Sequence, residues 1–305
     1  MKYCISYSNK SHIIDEVDEI LIKYDKNKIL ELFTQFIPQH QTQRVIVEVG
    51  GNEVLKDETL IDQLNKIIKI HKENLDLKFD LCISRYDKKI TDILKETDLE
   101  YFFQIHANNW DTFTGFVNLG VSDIYVTENL AFELDKVAEI AHKKNIKIRT
   151  YPNVAQSRWE ELEDIYKFFI RPEDIEVYED YVDVCEFYGL AKEVDTFYKI
   201  YAKDKKWFGD LKEIIIGLNN SLDSRYIIPR FALNRIKCGK KCLKDSKCQI
   251  CNRILDLSEN LKEAKLIVQI DKDKEDNNGR NSIGCHPRFN LGWRKPKNLL
   301  WKQNN

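Results

Sequence analysis

The sequence predicts an α/β protein: a (β/α)8 TIM-like barrel with a small C-terminal cysteine-rich metal-binding extension. Three observations lead to this architecture. Short apolar runs rich in Val, Ile, Phe and Tyr alternate with segments of helical periodicity, the glycine-rich loops of nucleotide-binding folds are missing, and four cysteines crowd together late in the chain. A composition of 43% hydrophobic and 11% aromatic residues supports a substantial core.

The predicted strands alternate with predicted helices, such as Leu60–Ile68, in which apolar residues recur at spacings of three and four. Strands separated by helices pair in parallel, because each crossover needs its own helix. The segment Val49-Gly50-Gly51-Asn52 does not match the dinucleotide-binding pattern G-x-G-x-x-G, which favours a barrel over an open doubly wound sheet. The eight predicted strands are Lys2–Ser6, Arg44–Val49, Leu77–Ile83, Tyr101–Ile105, Asp123–Thr127, Ile146–Tyr151, Lys167–Arg171 and Val182–Phe187.

The chain divides into three predicted parts. Residues 1–228 form the barrel, residues 229–270 form the extension with the cysteines, and residues 271–305 form a polar, poorly structured tail. The last boundary follows a change of composition, because Asp, Lys, Asn and Gly dominate from Asp271 onward.

The cysteine cluster is the strongest chemical signal. It reads Cys238-Gly-Lys-Lys-Cys242-Leu-Lys-Asp-Ser-Lys-Cys248-Gln-Ile-Cys251, and its four thiols can converge on one tetrahedral centre. Thiolates suit Zn²⁺ or an iron–sulfur cluster such as [4Fe–4S], and the neighbouring lysines favour the thiolate form. The spacing matches neither the usual zinc knuckles nor a ferredoxin run, so both metals stay open. Unligated surface thiols or a disulfide pair are the alternative.

Candidate catalytic residues follow from the rule that barrel enzymes gather their chemistry at the C-terminal ends of the strands. His106 is the histidine placed where a base or a ligand is useful, with a backbone-bonded structural histidine as the alternative. Glu48 and Glu128 are candidates for a carboxylate pair, against solvated rim charge. The candidate set is completed by Arg171 and Glu173, and other polar residues of the same rim include Asn153 and Glu186.

A family resemblance becomes visible late in the barrel. The segment Phe169-Ile170-Arg171-Pro172-Glu173-Asp174, followed by Tyr181-Val182-Asp183-Val184, resembles the late-barrel segment of the U32 peptidase-like family. The segment Trp207-Phe208-Gly209-Asp210-Leu211 is similar to the Gly-Asn-Leu segment of that family.

This resemblance implies a TIM-like barrel, cysteines that hold an iron–sulfur cluster, and hydroxylation of RNA bases or quinone precursors. The chain departs from the family pattern at Cys185–Leu190, where basic residues are expected, and in its cysteine spacing.

Three functions stay open at this point. The first is a U32-like, iron–sulfur-dependent enzyme that modifies an RNA base or a small metabolite. The second is a non-catalytic interaction or assembly protein with a structural zinc loop, and the third is a peptidase. The peptidase ranks lowest because no nucleophile–base pair or catalytic zinc triad is visible.

The net charge limits the choice of partners, and the N-terminal sequence indicates the location of the protein. Lys and Arg number 48 and Asp and Glu 50, so a net charge of -2 gives no global attraction for nucleic acid or membrane. The lysines of the cysteine loop still form a local positive surface, which predicts RNA as a partner or, equally, a solubilising face. We expect a cytoplasmic protein without a membrane segment, because neither a secretory signal nor a long apolar run is present. The substrate and the oligomeric state stay open.

Overall fold

The computed structural model describes most of the chain up to residue 256, and residues Met1–Glu259 form one compact unit. A second unit, Asn260–Asn305, contains the predicted tail and lies outside the described residues. The described residues are 1–7, 17–25, 44–56, 59–74, 78–83, 87–97, 100–128, 130–156, 164–189, 191–228, 231–239, 250–254 and 256.

Nine parallel strands form one sheet, with β1 at its centre between β2 and β9. The order across the sheet is β5-β4-β3-β2-β1-β9-β8-β7-β6. Val and Ile dominate these segments, because branched side chains pack well on a pleated surface. The strands are β1 Lys2–Tyr7, β2 Glu19–Lys23, β3 Arg44–Val49, β4 Lys78–Ile83, β5 Tyr101–Phe103, β6 His106–Ala107, β7 Asp123–Val126, β8 Lys147–Thr150 and β9 Val184–Phe187.

The sheet curls, because its two outermost strands are consecutive in the chain. Gln104 and Ile105 alone separate β5 from β6, and both take part in the ladder. The N–H of Gln104 donates to the carbonyl of Ile83 on one side (2.7 Å), and the carbonyl of Ile105 accepts from the N–H of Tyr125 on the other side (2.7 Å). The result is a curled parallel sheet with helices, compatible with the predicted TIM-like fold.

The two faces of the sheet have separate cores, as the alternation of side chains along a strand requires. One face carries a small buried cluster, and the opposite face packs against the helices through residues such as Ile20, Val45 and Ile83. The small cluster consists of Cys4, Leu21, Ile46, Cys82, Phe102 and Val184. Because it is contributed by six different strands, it marks the inner face of the curl.

The helices between the strands are amphipathic and bounded by recognisable caps. In α5 the buried residues Leu134, Val137, Ala138 and Ala141 fall at spacings of three and four. Asp87 caps α3 by accepting a hydrogen bond from the backbone N–H of Lys89 (2.8 Å). The helices are α1 Gly51–Lys56, α2 Leu60–Asn74, α3 Lys88–Lys95, α4 Trp110–Leu119, α5 Leu134–Lys143, α6 Ile175–Tyr178, α7 Ala191–Tyr198 and α8 Phe231–Ile236.

No helix in the described part of the chain is long and apolar enough to cross a membrane.

Seven of the eight predicted strands are confirmed, and two of the nine strands that the structure describes, β2 and β6, were not predicted. The predicted strand Lys167–Arg171 is wrong: Phe168 forms an isolated antiparallel bridge with Gln156, and the segment does not join the sheet. Its residues Phe168, Phe169 and Ile170 are buried in the core, although they do not pair with a neighbouring strand of the sheet. In β2 the apolar run is only Ile20-Leu21-Ile22, between the charged Glu19 and Lys23, which is too short a signal for sequence reasoning. The strand β6 has two residues, His106 and Ala107.

The described part of the predicted cysteine extension packs on the same compact unit as the strands. Phe231, Ala232 and Ile236 of α8 are buried, and Cys238 and Cys251 are partly buried against the same core.

Gly217 and Gly115 provide a matched pair of glycine substitutions. Gly217 has a φ of +89°, and a Cβ added there would lie 3.3 Å from the carbonyl oxygen of Ala155. Gly217→Ala should therefore lower the free energy of unfolding by about 1–2 kcal/mol. Gly115 lies inside α4 with no described atom within 4 Å of an added Cβ, so Gly115→Ala should raise it by about 0.5–1 kcal/mol. Urea unfolding followed by circular dichroism measures both, and effects of the same sign would contradict the strain at Gly217.

Candidate active site at the C-terminal ends of the strands

Polar and aromatic side chains meet at the C-terminal edge of the inner face. Since all strands are parallel, their carboxyl ends lie at the same edge of the sheet. Glu186 and Tyr125 reach this edge from β9 and β7, and His106 reaches it from β6. We call Glu186 and Tyr125 the acid pair, and His106, Tyr125, Tyr151 and Tyr188 the aromatic group.

The acid pair is a hydrogen bond between two buried side chains. The hydroxyl of Tyr125 donates to Oε2 of Glu186 at 2.7 Å. Burial raises the pKa of Glu186 to about 7, against the opposing effects of Arg149 and of the Tyr125 hydrogen bond, and with a further upward contribution from Glu48. Glu186 is therefore a carboxyl group that both gains and loses a proton near neutral pH, which is the property that a general acid–base catalyst needs.

The aromatic group lies beside the acid pair. The ring of Tyr125 stacks on His106 at 5.0 Å and 20°, and on Tyr151 at 5.3 Å and 22°. His106 and Tyr151 are 6.1 Å apart at 16°, so the three rings are nearly parallel. Tyr188 stands edge-on to Tyr151 at 78° and is 59% exposed, whereas Tyr125 is fully buried. The exposed members of the group, His106 and Tyr188, offer aromatic surface to a planar molecule.

Side-chain amides hold the aromatic group in place. Gln104 donates from Nε2 to the hydroxyl of Tyr151 at 3.3 Å. The buried Asn153 bonds both backbone groups of Tyr188: Nδ2 donates to its carbonyl (2.6 Å) and Oδ1 accepts from its N–H (3.1 Å). The two hydrogen bonds of Asn153 fix Tyr188, which directly follows β9, and Glu186 lies near the end of that strand.

His106 behaves as a neutral ring in this setting. Part of the His106 side chain is exposed, but the burial of the rest lowers its pKa from its ordinary value, so the imidazole is uncharged at neutral pH. An uncharged imidazole can still accept or donate one hydrogen bond, but it does not compensate the charge of Glu186.

Below the acid pair, toward the start of the strands, four charged side chains form a buried ion network. Glu19 accepts from Arg44 Nη1 at 2.9 Å and from Arg149 Nη2 at 2.7 Å, and Asp123 accepts from Arg149 Nε at 2.8 Å. Burial alone would raise the pKa values of Glu19 and Asp123, but Arg149 lowers both below their ordinary range, with help from Arg44. Both acids are therefore ionised, and the network of two cations and two anions is neutral.

Phe102 lies against both cations of the network. The guanidinium of Arg44 is 5.2 Å from the centre of its ring, and that of Arg149 is 5.0 Å away. Cation–π contacts of this kind help to compensate the lost hydration of buried guanidinium groups.

Of the residues predicted from the sequence, His106 and Glu48 lie near the acid pair. His106 stacks on Tyr125, and Glu48 is close enough to Glu186 to raise its pKa. The structure thus relates Glu48 to Glu186, whereas the sequence paired Glu48 with Glu128. The backbone N–H of Glu128 donates to Gln156 at 3.4 Å, and its φ of 51° places it in a left-handed turn.

Arg171 and Glu173, the other predicted catalytic residues, are tied to the chain that follows β9. Arg171 binds Asp174 through two hydrogen bonds of 2.6 and 2.7 Å. It also donates from Nη1 to the carbonyls of Ser224 and Ile227. Glu173 Oε1 accepts from the backbone N–H of Trp207 (2.9 Å) and from the hydroxyl of Ser224 (3.0 Å). Arg171 and Glu173 therefore have a structural role: they hold the segment from Trp207 to Ile227 against the rest of the chain.

Two of the four predicted metal ligands, Cys238 and Cys251, are described. Both act on the same buried cation, because each raises the pKa of Arg235 against the larger lowering effect of burial. The guanidinium of Arg235 lies within 5.0 Å of the ring centres of Phe132, Phe169 and Phe231. Neither of the two cysteines is in a disulfide.

Cys242 and Cys248 lie outside the described residues. Among the residues that are described, no group of three or more His, Cys, Asp or Glu side chains could hold a metal ion.

Sequence reasoning missed the central members of this site. In the sequence, Glu186 was one of several polar residues at the strand ends and was not singled out. Tyr125, its hydrogen-bond partner, lies in the mostly apolar strand β7 and was not a candidate. The available signal was periodicity: Asp123 and Tyr125 alternate with Ile124 and Val126, and Glu186 alternates with Cys185 and Phe187. A charged residue at an inner position of a buried strand needs a partner, which marks such positions as candidates.

Comparison of the chain with protein-family models, with curated proteins and with solved structures gave no match.

The raised pKa of Glu186 predicts a pH-dependent stability difference. Between the ordinary pKa of 4.5 and the folded value of about 7, the folded state keeps a proton that the unfolded state loses. The stability of the native protein should therefore fall across this range, by about 3 kcal/mol in total. Glu186→Gln, which carries no charge, should match the native protein near pH 4.5 and be more stable above pH 7. Urea midpoints at pH 5 and pH 8 measure the difference.

The matched control for this comparison is Glu176→Gln. Its side chain is 70% exposed and pairs with Lys205 on the surface, so it should leave the pH dependence unchanged. Parallel pH profiles for the native protein and Glu186→Gln would rule out a buried, proton-retaining carboxyl at this position.

Proposed function

We propose that the chain is an enzyme that carries out general acid–base chemistry on a planar ring, either an RNA base or a small metabolite. The observation that carries the proposal is the acid pair: a buried carboxyl with a pKa of about 7, hydrogen-bonded to Tyr125 at the C-terminal edge of a parallel sheet. Perturbed carboxyl groups at this edge are the usual mark of barrel active sites.

The acid pair accounts for the proton transfers of such a reaction. The ionised carboxylate of Glu186, which accepts the hydrogen bond of the Tyr125 hydroxyl, takes a proton from a ring N–H, O–H or C–H group and becomes a neutral carboxylic acid. The same carboxyl then returns the proton to another ring position. A pKa near neutrality serves both directions.

The aromatic group supports a planar substrate. His106 and Tyr188 are exposed, and Tyr151 is partly exposed, so their faces are available for stacking. Base–aromatic stacking contributes about 1–3 kcal/mol for each base in nucleic-acid complexes and does not depend on base identity. A nucleobase or a comparable small ring therefore fits the chemistry of this edge.

The proposal keeps the fold and family expectations of the sequence. We take Tyr101–Ala107 as one bent strand, which makes the sheet a (β/α)8 barrel with that segment as its fifth strand. The resemblance to the U32 peptidase-like family adds a modifying reaction, hydroxylation, to the acid–base chemistry that the acid pair supplies.

The four-cysteine site is part of the same proposal. Cys238, Cys242, Cys248 and Cys251 would hold an iron–sulfur cluster or Zn²⁺, and the placement of Cys238 and Cys251 around Arg235 supports their convergence. An iron–sulfur cluster would supply electron transfer, and Zn²⁺ would hold the loop. The lysines of the loop would offer a surface for RNA. Cysteines without disulfides support a cytoplasmic location.

A complementation experiment tests the function. Cells of the source organism that lack the protein should lose a modified nucleoside or accumulate an aromatic metabolite, as measured by mass spectrometry of RNA digests and of small molecules. The native chain and Glu176→Gln should restore the normal profile. Glu186→Gln should not restore it, because an amide cannot exchange a proton at neutral pH. Full restoration by Glu186→Gln would eliminate the acid pair as the reaction centre.

Metal analysis tests the cysteine site independently. Anaerobically purified protein should contain either about four irons and four sulfides with absorption near ~400 nm, or one zinc without colour. Replacement of Cys238 and Cys251 by Ser should abolish binding of the metal, whereas replacement of the buried Cys185 should leave it unchanged. Protein that binds neither metal would refute this part of the proposal.

A further inference from the structure

Arg149, on the inner face of the sheet, has one side-chain nitrogen that makes no hydrogen bond to any described residue. Its side chain is fully buried, Nε donates to Asp123, and Nη2 donates to Glu19. Nη1 is buried as well and has no hydrogen-bond partner among the described residues. A buried N–H without a partner costs about 1–3 kcal/mol, so its retention calls for a physical reason.

The strand register places Arg149 directly beside the acid pair. On β8, Arg149 lies opposite Tyr125 of β7 and opposite Val184 of β9. Glu186 is two residues beyond Val184 on the same face, and Asp123 is two residues before Tyr125. Arg149 therefore lies level with Tyr125 of the acid pair and two residues before the level of Glu186 on β9. Its guanidinium is also 5.9 Å from the centre of the Tyr125 ring.

We propose that Arg149 is the positioning residue of the acid pair: bound from below by Glu19 and Asp123, it keeps its Nη1 donor and its positive charge for the carboxylate that forms when Glu186 loses its proton. This inference rests on the proposed function, because it gives the proton transfer of Glu186 its electrostatic support.

The other groups around Glu186 cannot take this role. Burial raises the pKa values of Cys4, Cys82, Tyr125 and Tyr151, so all four are neutral at neutral pH. Glu48 and Glu19 oppose the ionisation of Glu186, and Arg149 is the cation among the described groups that favours it. Without that cation, desolvation would keep Glu186 protonated and useless as a base.

The ion network explains why Arg149 stays in place during this step. Two hydrogen bonds to ionised carboxylates fix its orientation. The network is neutral as a whole, but Nη1 of Arg149 makes no hydrogen bond within it and stays available for Glu186. Glu186 can then ionise without any side chain moving, and this preorganisation is what makes an electrostatic contribution effective.

The test compares two variants that differ in Arg149 alone. Removing Arg149 by itself would leave Asp123 buried without a cation, so the reference is Asp123→Asn and the test variant is Asp123→Asn combined with Arg149→Met. Infrared difference spectra follow the protonated carboxyl of Glu186, which is assigned by its loss in Glu186→Gln. The titration midpoint in the double variant should lie about one to two pH units above that of Asp123→Asn. Equal midpoints would overturn the proposal.

A measurement on the native protein keeps the test independent of whether the double variant folds. The side-chain ¹⁵N resonances of Arg149, assigned with Arg149→Lys, should shift with the same midpoint as the carboxyl of Glu186. Arginine resonances that stay constant through this transition would refute the coupling. If Glu186→Gln loses function but the Arg149 resonances stay constant, the proposed function stands and the role of Arg149 falls. If the resonances shift with Glu186 but Glu186→Gln keeps function, the electrostatic role of Arg149 stands and the proposed function falls.

Discussion

The buried contact of Arg149 with Glu19 and Asp123 is the interaction on which the rest of the structure depends. It links β8 with β2 and with β7, strands that lie on opposite sides of β1 in the sheet. A guanidinium group that loses its water must find several fixed partners, so these contacts are directional and select one arrangement of the strands. An apolar interior would bury as much surface without specifying which strand faces which. The curl of the sheet and its ion network therefore require each other.

The balance of charge on the inner face then determines the properties of Glu186. Arg44 and Arg149 are matched by Glu19 and Asp123, so Glu186 is a further carboxyl without an ion-pair partner of its own. Such a group is protonated when burial dominates and ionised when a nearby cation compensates it. The pKa of about 7 is the result of these opposing effects, in which the desolvation of Glu186 is the largest and Arg149 opposes it. Its acid–base behaviour is thus a property of the whole inner face.

The sequence predicted those features that depend on local pattern and missed those that depend on long-range pairing. Alternating helix and strand patterns located seven strands and α2. The strand-end rule located His106 and Glu48. Sequence reasoning missed β2 because its apolar run has three residues and begins after the charged Glu19. Glu19 is compensated there by Arg44 and Arg149, which come from other strands. The Tyr125–Glu186 bond joins residues 61 positions apart, which no local spacing predicts. The sequence placed Arg171 among the rim residues because its hydrogen-bond partners were not visible in it. The carbonyls of Ser224 and Ile227, to which Arg171 donates, lie 53 and 56 positions away in the chain.

The location of Glu186 above a neutral ion network has a consequence for how the site can change in evolution. Aromatic residues at the edge of the sheet can vary with the ring that is bound, because stacking depends on a flat face more than on a particular side chain. The inner charges are more constrained, because the loss of Arg149 leaves Asp123 buried without its cation, whereas Arg149 keeps Glu19 when Asp123 is replaced. In the proposed function, substrate choice and proton transfer therefore depend on separate residues of one inner face. The exposed rings of His106 and Tyr188 would be free to change with the substrate, and Glu186 with Arg149 would not.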